Sequence, residues 1–239
     1  METTGIIIQA RMGSTRLPGK ILKDFEGKTL LGHILYRLGQ KILPDTEIVI
    51  ATSTLSADDL VERFCASEGI KCFRGDERNV LSRYYECAVQ NHYENIVRMT
   101  GDNPFPDVDE LDRLIVYHME NNMDFSENFS VLPLGVGMEI FSFGALRDSM
   151  AYASLPKHFE HADEYILDHK DEYRFGTLDV FKEKNMPDVR LTVDTAEDYE
   201  RACYILRNAG LEYVTTEAAI TLALKFDKDM RRKKGKSAI

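Results

Sequence analysis

Three cations and two isolated carboxylates carry the chemistry open to this sequence. Arg11, Arg16 and Lys20 fall within ten residues of one another in IIIQARMGSTRLPGK, residues 6–20, where Gly13, Pro18 and Gly19 break up the backbone. A loop of that kind leaving a strand has free backbone N–H groups and positive side chains together, which suits a polyphosphate. Asp102 in TGDNPFPD and Asp194 in RLTVDTAEDYE each stand just past an apolar run and before a turn. Two such carboxylates, about ninety residues apart, could tie Mg2+ to phosphate oxygens. We therefore expect a nucleoside triphosphate site. It is not a P-loop: five residues separate Gly13 from Gly19 where that motif has four, and Ile21 follows Lys20 where the metal needs a hydroxyl.

The elements that would position these groups follow from periodicity. Ile6, Ile7 and Ile8 are apolar on both faces, as a central strand of a parallel sheet requires. A helix is expected from about Thr29 to Gln40, a strand over Glu47–Ala51 with Thr52 at its end, a helix over Asp58–Ser67 and a strand over Ile70–Phe73. In the next helix Val80, Leu81, Tyr84, Ala88 and Val89 form the apolar face, and of Arg74, Arg78 and Arg83 the last is best placed to reach the ligand. A fourth strand, Asn95–Met99, delivers Asp102, while Asp107 caps the following helix and leaves Asp102 free for other work. This βαβ alternation predicts a sheet with helices on both faces and ligands beyond the carboxyl ends of its strands.

From 121 to about 183 the pattern loosens. Phe125–Leu132 and Gly135–Phe143 read as strands, with Glu139 in an otherwise apolar run; a buried Glu needs a partner, which makes it a candidate for substrate contact or for an internal hydrogen bond. His158 and His161 do not match the HExxH zinc pattern. The aromatic and acidic mix over 152–175 reads as a protruding subdomain or partner surface. Val189–Val193 is expected as a strand and Thr195–Arg207 as a helix opened by a capping box, and the basic tail from Lys225 as a solvated run.

Composition narrows the ligand. The chain has 239 residues, 44% hydrophobic and 29% charged, with a net charge of −10. That charge repels nucleic-acid backbones, so the amino-terminal cations favour a small anion over a polymer. The four cysteines show no CxxC pair, no apolar run reaches membrane-spanning length, and a reduced cytoplasmic setting is expected.

Taken together, IIIQARMGSTRLPGK, FRGDERNVLSRYY, RMTGDNPF, GMEIFSF, EHADEYI and RLTVDTAEDYE resemble the spore coat polysaccharide biosynthesis protein F type of cytidylyltransferase. Its relatives are the synthetases that make CMP-activated 3-deoxy-octulosonate and sialic acids. The resemblance covers nearly the whole chain and implies one Rossmann-like nucleotide-sugar transferase domain over 1–239, with 121–183 as a protruding or dimerising part. It implies transfer of CMP from CTP to an acidic sugar, with Mg2+ and release of pyrophosphate, in surface polysaccharide or glycan synthesis, by a homodimer. On that basis Ala10, Arg11, Gly13, Ser14, Arg16, Lys20, Thr52 and Arg83 hold the nucleotide, Arg16, Lys20 and Asp102 serve catalysis, Asp102 and Asp194 bind metal, and Asn103 and Glu139 meet the acceptor. The related loop reads SGT-x-R where this chain has NVLSR, a departure at Arg83. A glycosyltransferase on the same fold would need a DxD-like pair, whereas TGDNP offers only Asp102.

Overall fold

The computed structural model describes residues 3–40, 46–210 and 213–236. In chain order they form β1 (Thr4–Gln9), β2 (Asp24–Phe25), β3 (Lys28–Thr29), α1 (Leu30–Leu38), β4 (Thr46–Ser53), α2 (Asp59–Glu68), β5 (Lys71–Gly75), α3 (Val80–Asn91) and β6 (Asn95–Thr100). Then come α4 (Val108–Glu120), β7 (Phe125–Glu127), β8 (Glu139–Ser142), α5 (Phe143–Tyr152), α6 (Pro156–Glu160), α7 (Glu164–Asp168), β9 (Phe175–Thr177), α8 (Ala196–Ala209) and α9 (Thr216–Lys236).

Seven strands make one sheet in the order β5-β4-β1-β6-β8-β7-β9. All pairings are parallel except the two that β8 makes with β6 and β7. Side chains alternate across β1, so Ile6 and Ile8 enter one apolar layer, with α1, α2, α4, α8 and α9, and Ile7 enters the other, with α3 and α5. The first crossovers build outward from β1 to β4 and β5; the chain then returns to place β6 on the other side of β1. A crevice opens at such a reversal, beyond the carboxyl ends of β1 and β6.

Helix starts follow the sequence closely. Thr29, Asn79, Asp107, Ser142 and Thr195 each accept a hydrogen bond from a backbone N–H of the first turn, satisfying donors that a helix leaves unpaired.

Three expectations are corrected. The strands read over 125–132 and 135–143 shrink to β7 and β8, because 128–138 is irregular and held by its own bonds, such as Met138 N–H to Asn128 Oδ1 at 2.8 Å. Val189–Val193 lies outside the sheet: it is extended and its apolar side chains are buried, but its one strand-like bridge is to Leu134, and Val193 N–H donates to the carbonyl of Asp102 at 2.9 Å. Alternating burial imitates a strand there without ladder partners. Val89 is 45% exposed, and Cys87 takes its place in the packed face of α3. The basic tail is exposed at Lys225, Lys228, Arg231, Arg232 and Lys233, as a solvated run should be, and continues α9 as a helix to Lys236. Among the described residues no helix is long and apolar enough to cross a membrane.

Candidate active site

The loop after β1 is pinned before it reaches solvent. Ala10 N–H donates to Ala51 O at 3.0 Å, and Met12 N–H donates to the carboxylate of Asp58, which is almost wholly buried, at 2.7 Å. The other oxygen of Asp58 accepts from Ser53 Oγ and from Ser53 N–H, so one side chain clamps the loop to the end of β4. Gly19 N–H returns to Met12 O at 3.2 Å and Gly19 adopts φ +67°, which costs a glycine little and turns Lys20 inward. Gly101 lets the ends of β1 and β6 meet: a Cβ there would stand 3.0 Å from that of Ala10. Replacing Asp58 by Ala removes the clamp and strands the Met12 donor. We expect a stability loss of about 2 kcal/mol and a raised KM for the nucleotide, read by thermal melts and initial rates; an unchanged KM would free the loop from Asp58.

Lys20 is the centre of the site. Its Nζ, in a side chain only 9% exposed, donates to Asp102 Oδ2 at 2.7 Å, to Asp194 Oδ1 at 3.0 Å and to the carbonyl of Val193 at 2.8 Å. Thr100 Oγ1 donates to the remaining oxygen of Asp102 at 2.6 Å. Asp194 is brought in by the bond between Val193 N–H and Asp102 O, and its remaining oxygen accepts from Arg190 at 2.6 Å. Arg16, exposed, reaches Asp194 at 3.2 Å. Burial works to raise the Asp194 carboxyl, but Lys20, Arg190 and Arg16 outweigh it and hold its pKa below the ordinary value. Asp198 supports the whole: its carboxylate accepts from Arg190, Arg201, Thr195 and the backbone N–H of Asp194.

A cation already lies between Asp102 and Asp194, so the pair is built to face positive charge. Among the described residues no group of three or more His, Cys, Asp or Glu side chains gathers into a cage. Two carboxylates and a substrate's phosphates are the usual company of Mg2+, which keeps much of its water. The donor set fits such an ion.

Two cavities meet at these carboxylates. One, of about 470 Å³, is lined by Ala10, Arg11, Gly13, Ser14, Arg16 and Lys20 on its loop side and also by Glu160. The other, of about 430 Å³, runs past Asn103, Arg190 and Thr192 to Arg98, Glu139 and Asp163. Thr100, Asp102 and Asp194 line both. Such an arrangement leaves room for two small molecules whose ends meet at a shared wall.

The cytidylyltransferase family profile matches residues 5–220, nine-tenths of the chain. The chain belongs to the cytidylyltransferase family. It is 37% identical over 208 residues to the spore coat polysaccharide biosynthesis protein SpsF of Bacillus subtilis, covering 85% of this chain and 86% of that one. A solved cytidylyltransferase from Leptospira borgpetersenii superposes with a TM-score of 0.83 at 32% identity, covering 97% and 96% of the two chains. A CMP:2-keto-3-deoxy-manno-octonic acid synthetase complexed with CTP shares the fold, with a TM-score of 0.66 at 19% identity over 86% of this chain and 99% of that one.

Within this cytidylyltransferase the structure gathers Ala10, Arg11, Gly13, Ser14, Arg16, Lys20, Asp102 and Asp194 around one cavity, and Asn103 and Glu139 around the other. Thr52 and Arg83 line neither. Thr52 is buried, and Arg83, also buried, donates to the carbonyl of Asp76 at 2.8 Å and so braces the turn before α3; Arg11 donates to Glu77 O in that same turn. Arg74 is taken up by Asp59 and Glu62. Glu139 meets Arg98 at 2.6 Å, and burial, only partly offset by Arg98, pushes its carboxyl up to about 8.

Sequence reasoning missed Asp58, Arg98, His161, Asp163 and Arg190. Arg98 had a signal, since it precedes Thr100 by two residues in a strand and therefore shares its face. His161 and Asp163, read as part of a partner surface, line the second cavity because α6 and α7 fold back over the rim.

Proposed function

We propose that this cytidylyltransferase transfers CMP from CTP to a hydroxyl of an acidic sugar and releases pyrophosphate, in the synthesis of a surface glycan. The observation that carries the reading is the pair of cavities sharing Asp102 and Asp194. The loop cavity takes the triphosphate: Arg11 and Arg16 stand on its wall, and Lys20 closes its inner end. The second cavity takes the acceptor, whose hydroxyl oxygen then lies across the shared wall from the α-phosphorus.

The new bond forms between that oxygen and the α-phosphorus as the bond to the β-phosphate oxygen breaks; the hydroxyl proton leaves to water. A divalent ion between Asp102 and Asp194 would supply charge neutralisation at the transferring phosphoryl group. With its carboxylate partners engaged elsewhere, Lys20 is free to turn its ammonium to the phosphates, where Arg16 helps to offset charge gathering on pyrophosphate. Arg190 fixes the orientation of Asp194, and Thr100 that of Asp102. Holding both substrates in line does much of the work, since phosphoryl transfer asks little covalent chemistry of the protein.

The test is pyrophosphate release with each of the four nucleoside triphosphates and a panel of 2-keto acid sugars. CTP should support release with at least one acceptor; no release with any pair, alongside sugar transfer from a nucleotide-sugar donor, would point to a glycosyltransferase. The expectation of a homodimer joined through 121–183 rests on Tyr152, Leu155 and Phe181, all largely exposed there. Light scattering should return twice the 27.3 kDa chain mass, and a monomer at working concentration would dismiss it.

A further inference from the structure

The inner end of the second cavity, away from Asp102 and Asp194, is a wall of Arg98, Glu139 and Asp163. Arg98 precedes Thr100 by two residues on one face of β6, so its Cα lies roughly 7 Å deeper at about 3.3 Å of rise per residue. Glu139 pairs with Arg98 across β6 and β8 and accepts from its Nη1 at 2.6 Å; Asp163 Oδ1 lies 3.8 Å from the same nitrogen. Two acidic side chains thus converge on one guanidinium. The group is not closed on itself, for Asp163 Oδ1 and Arg98 Nε are both buried with no hydrogen-bond partner. Asp163 is 8% exposed and, although it stands where a cap of α7 would, its side chain caps nothing. Glu127, next along the row, is already satisfied by Ser130 and Thr177.

We propose that this wall seats an uncharged group, a hydroxyl or an amide, at the end of the acceptor remote from the reacting hydroxyl. The proposal rests on the transfer reading above and specifies its acceptor. An orphan acceptor beside an orphan donor is answered by a group that both gives and takes a hydrogen bond. A second carboxylate or a phosphate only accepts, and would lie against the acceptor oxygen of Asp163 with Arg98 already engaged. An ammonium only donates, and would leave Arg98 Nε unpaired while facing its charge. The acceptor's single acid group therefore belongs at the outer end, near Arg190 and Lys20, and a tail bearing charge is excluded.

The test is equilibrium binding by calorimetry of three probes to the full-length protein: 2-keto-3-deoxy-manno-octonate, its analogue lacking the terminal hydroxyl, and its analogue oxidised there to a carboxylate. The parent should bind about tenfold tighter than the deoxy analogue, since leaving buried polar groups unpaired is what such a site penalises, and the oxidised analogue should bind weakest. In the near-isosteric Asp163→Asn, whose amide offers a donor, the penalty on the oxidised analogue should shrink. Equal binding of the three probes, an oxidised analogue as tight as the parent, or no binding of the parent overturns the seat, and needs no variant to fold. Pyrophosphate release on the same samples separates the two claims: release with equal binding defeats the seat alone, and the expected order without release supports the seat while defeating the transfer reading.

Discussion

Lys20→Ala should lower turnover by about 10²- to 10³-fold, the cost typical of removing one preorganised electrostatic contact from a transition state. From sequence alone a loop cation contributes nothing to the core, and the same substitution should leave stability untouched. The geometry corrects that second expectation. Lys20 Nζ is shared between Asp102 and Asp194 in a side chain 9% exposed, and its removal leaves two carboxylates facing one another. Breaking a fully buried pair costs about 3–5 kcal/mol. Asp102 and Asp194 keep 26% and 20% of their side-chain exposure, so solvent screens part of that and we expect about 2 kcal/mol. Added Mg2+ should restore most of the lost melting temperature, because it replaces the missing charge, while turnover stays low. Wild-type turnover in this variant would remove the loop from the site; a stability loss that Mg2+ leaves untouched would mean that the ion binds elsewhere.

The contrast shows where sequence reasoning reached and where it stopped. The central strand, the breaker-rich loop and the two carboxylates after apolar runs were legible because each is a local pattern: Ile6–Ile8 for burial on both faces, Gly13, Pro18 and Gly19 for a break in the strand, Thr195 and Asp198 for a reciprocal cap. The distance between Asp102 and Asp194 was not local. It is set by the backbone bond from Val193 to Asp102 across ninety residues and by Lys20 bridging the two carboxylates, contacts that nothing in either segment announces. Arg83 shows the opposite failure. Its position near the start of a helix was read correctly, but burial behind the Asp76–Glu77 turn depends on how β5 and α3 pack, which periodicity does not report. Asp163 was hidden for a third reason: acidic residues in a short helical segment look solvated until the fold lays that segment over the rim.

Asp102→Asn separates metal binding from stability, which Lys20→Ala does not. An amide at this position keeps the size of the side chain and can still accept from Thr100 or Lys20, but it offers a divalent ion no charge. Lys20 retains Asp194, and Asp194 retains Arg16 and Arg190, so no charge is left buried alone. Melting temperature in chelator should therefore move little. Activity should fall by about 10²-fold or more, and the Mg2+ concentration for half-maximal rate should rise, since one of two charged ligands is gone. Asp194→Asn should act in the same direction and release Arg190 as well, so its effect on acceptor KM should be the larger of the two. Mn2+ titrations followed by electron paramagnetic resonance read the affinity without turnover. Should both variants bind Mn2+ as the wild type does and turn over at full rate in chelator, the carboxylate pair would not be the seat of the ion, and the shared wall would have to act through Lys20 and Arg16 alone.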